Sequence, residues 1–152
     1  MTTADNKGAL SLPVRGINDL RVLLIDDSEQ MLSLLRSFLA IIGARDVREA
    51  QDVESAYRVM RSGWPHVVIT DLKMRPVNGM DFIKSVRAGK DVKDAKIPII
   101  VVTGFADIQT VDRVMAAGAT GILVKPVSLN ALRGHIEPLV SLVCGEAEQR
   151  RA

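Results

Sequence analysis

The sequence predicts an α/β fold: a five-stranded parallel sheet with helices on both faces. Three observations lead there. Five short apolar runs, rich in β-branched residues, alternate with five segments of helical periodicity. Four of the apolar runs stop abruptly at a polar residue. The chain has 152 residues, enough for one domain with a sizeable core and no room for a second.

Residues 1–19 are polar with scattered apolar positions and are expected to form a mobile arm, with Leu10, Leu12 and Val14 as candidates for contact with the body. Arg21–Ile25 is the first strand, ending at Asp26-Asp27. Ser28 is an N-cap candidate for a helix carrying Met31, Leu34, Leu35, Phe38, Leu39 and Ile42, and Gly43 stops it. Asp46–Ala50 reads as a weaker strand, and Val53–Arg61 as a second helix ended by Gly63. His66–Asp71 is the central strand, bounded by Trp64-Pro65 and by a loop closing at Asn78-Gly79. Met80, Phe82, Ile83 and Val86 mark a third helix ending near Gly89, and a charged loop runs to Lys96.

Pro98 opens the fourth run, Ile99–Val102, which ends at Thr103-Gly104. Ile108, Val111, Val114 and Met115 share a helical face that stops at Gly118. Ile122–Val124 is a fifth strand, followed at once by Lys125-Pro126. Ser128 caps a last helix bearing Leu129, Leu132, Ile136, Leu139, Val140 and Val143. Pro138 lies inside that helix, where its ring should clash with the carbonyl of Gly134, so a kink or break is expected. The domain is placed at 20–143, with a charged tail at 144–152.

Composition narrows the function. The net charge of +2, without a dense Lys/Arg block, excludes a strong nucleic-acid field, and 3% aromatics leave little for base stacking. The single cysteine, Cys144, rules out an internal disulfide and fits a reducing compartment. No apolar run reaches the roughly 18 residues of a membrane span. The N-terminus lacks the pattern of a secretory signal. A cytoplasmic protein is expected.

The strand ends carry the chemistry. In an open parallel sheet, Asp26-Asp27, Asp71, Thr103 and Lys125 fall on one carboxyl edge, where ligands bind. Each has an ordinary explanation by itself: a helix-dipole contact, a β-branched strand end, a solvated lysine. Their coincidence on successive strands does not. Two carboxylates about 4 Å apart repel by roughly 4 kcal/mol at an effective dielectric near 20. One lysine cannot balance three acids, whereas a divalent ion can. The all-oxygen donor set favours Mg²⁺ over Zn²⁺. A carboxylate beside Mg²⁺, an ammonium and a hydroxyl is a good phosphoryl acceptor, with an acyl phosphate on Asp71 as the product.

These residues resemble the motifs of response-regulator receiver domains, the phosphoacceptor half of bacterial two-component signalling. The likeness covers about residues 20–143 and includes the segment Asp71-Leu72-Lys73-Met74 with Asn78-Gly79. It implies a flavodoxin-like doubly wound sheet and a phosphoacceptor switch rather than an enzyme. Asp71 would be the phosphorylated residue. Asp27 would bind Mg²⁺ directly, Asp26 mainly through water, and Lys73 through its backbone carbonyl. Lys125 would pair with the phosphoryl group, Thr103 would be the switch hydroxyl, and the Lys125–Pro126 bond would be cis. The phosphodonor would be a histidine kinase or a histidine phosphotransfer protein. As the sequence ends soon after its last helix, a stand-alone regulator is expected, signalling to a downstream protein through the 104–143 surface, with no nucleic acid and no membrane involved.

Three departures from the family pattern stand out. Ile122 occupies the position of the switch aromatic, so coupled aromatic burial is not the expected readout. Arg75 intervenes between Met74 and Pro76. Pro138 interrupts the last helix. Two other functions use the same fold. An aspartate-nucleophile phosphatase needs a second acid two residues after the nucleophile, where Lys73 stands. A phosphate-independent binding module would not need the complete acid, hydroxyl and amine set. A flavin site is disfavoured by the acidic edge and by the lack of a G-x-G-x-x-G loop. His66, His135 and Cys144 are read as structural or surface groups, Trp64 as cover for the far edge of the sheet, and the methionines as core filler.

Overall fold

The computed structural model describes residues 15–89, 92–105 and 107–151, with side chains described up to 144. Leu10, Leu12 and Val14 lie outside them. A 3-10 turn, Ile17–Asp19, leads in and packs Ile17 against the core. The elements then alternate: β1 (Arg21–Ile25), α1 (Glu29–Ile42), β2 (Asp46–Ala50), α2 (Val53–Ser62), β3 (Val67–Asp71), α3 (Gly79–Arg87), β4 (Ile99–Thr103), α4 (Ile108–Ala117), β5 (Gly121–Val124) and α5 (Leu129–Arg151). All four strand pairings are parallel, in the order β2-β1-β3-β4-β5. The five-stranded, doubly wound sheet expected from the sequence is the fold observed.

The period-2 geometry of strands divides the core in two. Val22 and Leu24 of β1 face α1 and α5, meeting Leu32, Leu35 and Leu39 from one and Leu132 and Ile136 from the other. Leu23 and Ile25 face the opposite way, toward Met60 of α2, Phe82, Ile83 and Val86 of α3, and Val114 of α4. Each such side chain contributes about 1.5–3 kcal/mol by leaving water, which is why strands apolar on both faces lie at the sheet's centre.

The punctuation read from the sequence holds. Ser28 accepts a hydrogen bond from Met31 N–H, Asn78 from Asp81 N–H and Ser128 from Ala131 N–H. Gly43 and Gly118 close α1 and α4 with φ of 116° and 113°, a region that side-chain-bearing residues enter at a cost.

Two expectations need correction. α5 runs through Pro138 to Arg151 instead of breaking there. Gly134 and Pro138 are both exposed, so the carbonyl that lacks its donor opens to water. On α4 only Val114 is buried, while Ile108 is 80% and Met115 44% exposed. Val114, with partly buried Ala117 beside it, is what the helix packs onto the core, and an open cavity lies between its outer face and α3. Met115 is therefore not core filler, unlike Met60 and Met74.

His66 and His135 are structural groups, as expected. Nδ1 of His66 accepts a hydrogen bond from Arg21 N–H at 2.8 Å, at the amino end of the sheet. The imidazole of His135 lies where a Cβ on Gly121 would stand, 2.8 Å away.

Candidate functional site

Strand register puts the polar strand ends at nearly one height. Ile25 pairs with Thr70, so Asp26 and Asp71 are the next residues on adjacent strands. Asp71 in turn pairs with Val102, and Thr103 with Val124, which sets Thr103 and Lys125 one step further along. The chain winds outward from β1 to β2 and in the other direction from β3 onward, so the two acidic strand ends flank the switch point of the sheet.

Asp26, Asp27 and Asp71 each bring a carboxylate oxygen within 4.8 Å of the others. Asp26 is buried at 1% exposure, Asp71 at 7%, and Asp27 is open to solvent. Oδ1 of Asp26 accepts from Ser28 N–H at 2.9 Å, whereas its Oδ2 is buried without a partner. Oδ1 of Asp71 accepts from Leu72 N–H at 2.8 Å and from Lys125 Nζ at 3.4 Å. Burial pushes the Asp26 carboxyl up to about 6; Asp71 and Asp27 add to the rise, and the Ser28 N–H and Lys125 oppose it.

The residues present suit a hard divalent cation. Octahedral Mg–O bonds of about 2.0–2.1 Å place opposite ligands about 4 Å apart, close to the spacing of these carboxylates. The unpartnered Asp26 Oδ2 is the kind of buried oxygen that a cation or an ordered water satisfies. No His or Cys lies in the cluster, so the donor set is entirely oxygen.

The loop after Asp71 is held close to its strand. Gly79 N–H donates to Leu72 O at 2.8 Å, and Asn78 caps α3. A Cβ on Gly79 would collide with the Asp71 carbonyl and stand 3.0 Å from Leu72 Cα. Glycine is thus required by close backbone approach. Arg75–Pro76 and Lys125–Pro126 are both cis; the second follows the expectation, the first was not foreseen.

The structure brings Asp26, Asp27, Asp71 and Lys125 together. Thr103 lies at the same edge and is buried at 2%, but its hydroxyl is engaged by Phe105, whose N–H donates to it at 3.0 Å. Lys73 extends over the Phe105 ring, with Nζ 3.7 Å from the centroid, linking the β3–α3 and β4–α4 loops across the site. That contact escaped the sequence reading, because 32 positions separate the two residues and neither belongs to a recognisable pair motif. Ile122 is partly buried against the core on the α2–α4 side, where the family carries its aromatic.

Known proteins share this sequence pattern and this fold. The model of the response regulator receiver domain matches residues 22–137. The chain is 29% identical to the chemotaxis protein CheY of Pseudomonas aeruginosa over 126 residues, 83% of this chain and 100% of that protein. It is 33% identical to chemotaxis protein CheY1 of Helicobacter pylori over 119 residues, 78% of this chain and 94% of the other. Among solved structures, chemotaxis response regulator CheY4 of Vibrio cholerae superposes with a TM-score of 0.70 at 28% identity, covering 79% of this chain and 98% of its own. The receiver domain of a DNA-binding response regulator from Colwellia psychrerythraea superposes with a TM-score of 0.74 at 26% identity, covering 81% and 99%. With its acids at the switch point, its lysine on the fifth strand end and a family match over more than nine-tenths of the expected domain, this chain belongs to the response regulator receiver domain family.

Proposed function

We propose that this chain is a phosphorylation switch in which Asp71 takes a phosphoryl group from a histidine kinase or a histidine phosphotransfer protein. One observation carries the reading: Asp26, Asp27 and Asp71 converge within 4.8 Å while Lys125 reaches Asp71. Asp26, Asp27, Asp71 and the backbone carbonyl of Lys73 would hold Mg²⁺, which when bound neutralises charge on the acids and on the transferred group.

The protein's own groups do the rest. Leu72 N–H and Lys125 both engage Oδ1 of Asp71, which leaves Oδ2 to attack phosphorus. As the new O–P bond forms, the P–N bond of the donor phosphohistidine breaks, and its imidazole leaves after taking a proton from solvent. The acyl phosphate adds a charge of about −1.5 to −2. Lys125 follows that charge, and Thr103 exchanges Phe105 for a phosphoryl oxygen, drawing the β4–α4 loop inward. The 104–143 surface, with Phe105, Ile108, Met115, Val124 and Leu142 exposed, is where a downstream protein would read the change. The switch domain is placed at 20–143, with the Ile17–Asp19 turn packed against it and α5 continuing past it to Arg151. No helix among the described residues is long and apolar enough to cross a membrane, in keeping with a cytoplasmic role.

Incubation with acetyl phosphate and Mg²⁺ tests this. The wild type should be retarded on a phosphate-affinity gel, and Asp71→Asn should not. Equal labelling of the two proteins rejects the site.

Ile122 favours one rival, a receiver-like module that binds its partner without phosphate. Its side chain already packs on the core, so no aromatic moves between two positions. Partner affinity that is indifferent to a beryllofluoride adduct would select that reading. The phosphatase alternative lacks its second acid, because Lys73 at that position lies against Phe105.

A further inference from the structure

Beside the acid site, between α3 and α4, a cavity of about 930 Å³ opens to the surface. That is within the size range of small-molecule sites, about 300–1,000 Å³. Its floor is apolar, with Met74 and Met80 on one wall and Ala116 on the other. Methionine side chains adapt to the shape of what they contact. Four cations surround the opening: Lys73 and Arg75 from the β3–α3 loop, Lys84 from α3 and Arg113 from α4. The sole acid in the lining is Asp27, in a chain whose net charge is only +2. Among the described residues, none of these four cations forms an ion pair.

This distribution has a chemical meaning. Four cations from three elements line one concavity against a single acid, Asp27, so the lining carries an excess of positive charge focused by low-dielectric walls. A bare inorganic anion has no use for a methionine-lined floor, and an uncharged apolar ligand has none for the cations. We infer that the cavity binds a small organic anion. Its apolar body rests on Met74 and Met80, and its carboxylate, sulfonate or phosphate group meets Lys84 and Arg113. The cavity shares Asp27 and Lys73 with the surroundings of Asp71, but Lys84 and Arg113 have no part in phosphoryl acceptance, so the inference does not rest on that reading.

Titration with 8-anilinonaphthalene-1-sulfonate, an aromatic body bearing one anion, tests it in chelator-treated, unphosphorylated protein. Fluorescence should saturate at one equivalent. The neutral analogue N-phenyl-1-naphthylamine should bind at least tenfold more weakly. The double variant Lys84→Glu/Arg113→Glu should lose affinity at least tenfold; both positions are exposed, and circular dichroism checks the fold. Ala116→Trp, which fills the space without changing charge, should lose it as well, and decides the matter if the charge reversal unfolds the chain. Unchanged affinity in Ala116→Trp, or equal binding of the neutral probe, overturns the proposal. So does displacement of the probe by oligoglutamate but not by small aromatic carboxylates, which would assign the cavity to an acidic polypeptide.

Discussion

Lys125 Nζ stands 3.4 Å from Asp71 Oδ1, across 54 positions of sequence and two strands of sheet. Among the described residues it is the one cation ion-paired with the cluster of three carboxylates, and its influence extends to Asp26, whose rise it opposes. Replacing it by methionine keeps the stem and removes the charge. Charge-assisted hydrogen bonds contribute about 1.5–3 kcal/mol, so Lys125→Met should slow labelling of Asp71 by acetyl phosphate about 10- to 100-fold at saturating Mg²⁺. Time courses on a phosphate-affinity gel measure this, and an unchanged rate would remove Lys125 from the site.

Asp26 costs stability at neutral pH. Its folded value of about 6 lies above the ordinary 3.8, so the folded state binds the proton more tightly than the unfolded one. The cost is fully present above about pH 6, shrinks as pH falls toward 3.8, and is absent below that. Asp26→Asn should therefore stabilise the metal-free protein at pH 7.5 by on the order of 2–3 kcal/mol, with the gain vanishing near pH 4. Mg²⁺ should raise the Tm of the wild type and leave the variant nearly unmoved. Thermal melts over this pH range, with and without Mg²⁺, check both halves.

His66 acts in the opposite direction. Burial, aided by the nearby Arg21, holds its imidazole down at about 4 against the ordinary 6.5. Its neutral form is the folded one, accepting from Arg21 N–H. The stability it confers is fully present above pH 6.5 and is lost as pH falls from 6.5 toward 4. Between pH 6 and 4 the two groups offset each other, so the wild-type pH profile should be flatter than that of either variant. His66→Asn, which keeps an acceptor, should abolish the acid-side loss. An NMR titration in which the His66 ring protonates near pH 6.5 would contradict this.

Gly79 is a packing constraint on the acceptor itself. A methyl group there meets the Asp71 carbonyl and Leu72 Cα, and backbone cannot give way as a side chain can. Gly79→Ala should cost about 1–3 kcal/mol of stability by overpacking. It should also slow phosphorylation of the fraction that remains folded, because relief of the clash displaces Asp71. Gly134→Ala, where a Cβ meets nothing within 4 Å, is the control and should not impair labelling.

The sequence alone determined the order of strands and helices, most of their ends, and which residues would stand at the carboxyl edge. Those are local properties: period-2 and period-3.6 patterning, capping side chains, and glycines where φ turns positive. Parallel topology then aligns the ends of β1, β3, β4 and β5 whatever their distance along the chain. Tertiary structure decided the rest. It set Thr103 toward Phe105, laid Lys73 over that same ring, left Asp26 Oδ2 buried without a partner, and left a cation-rimmed cavity between α3 and α4. Each of these depends on how far apart two elements sit and on how much water lies between them. Such quantities arise from packing of the whole chain, and no local pattern encodes them.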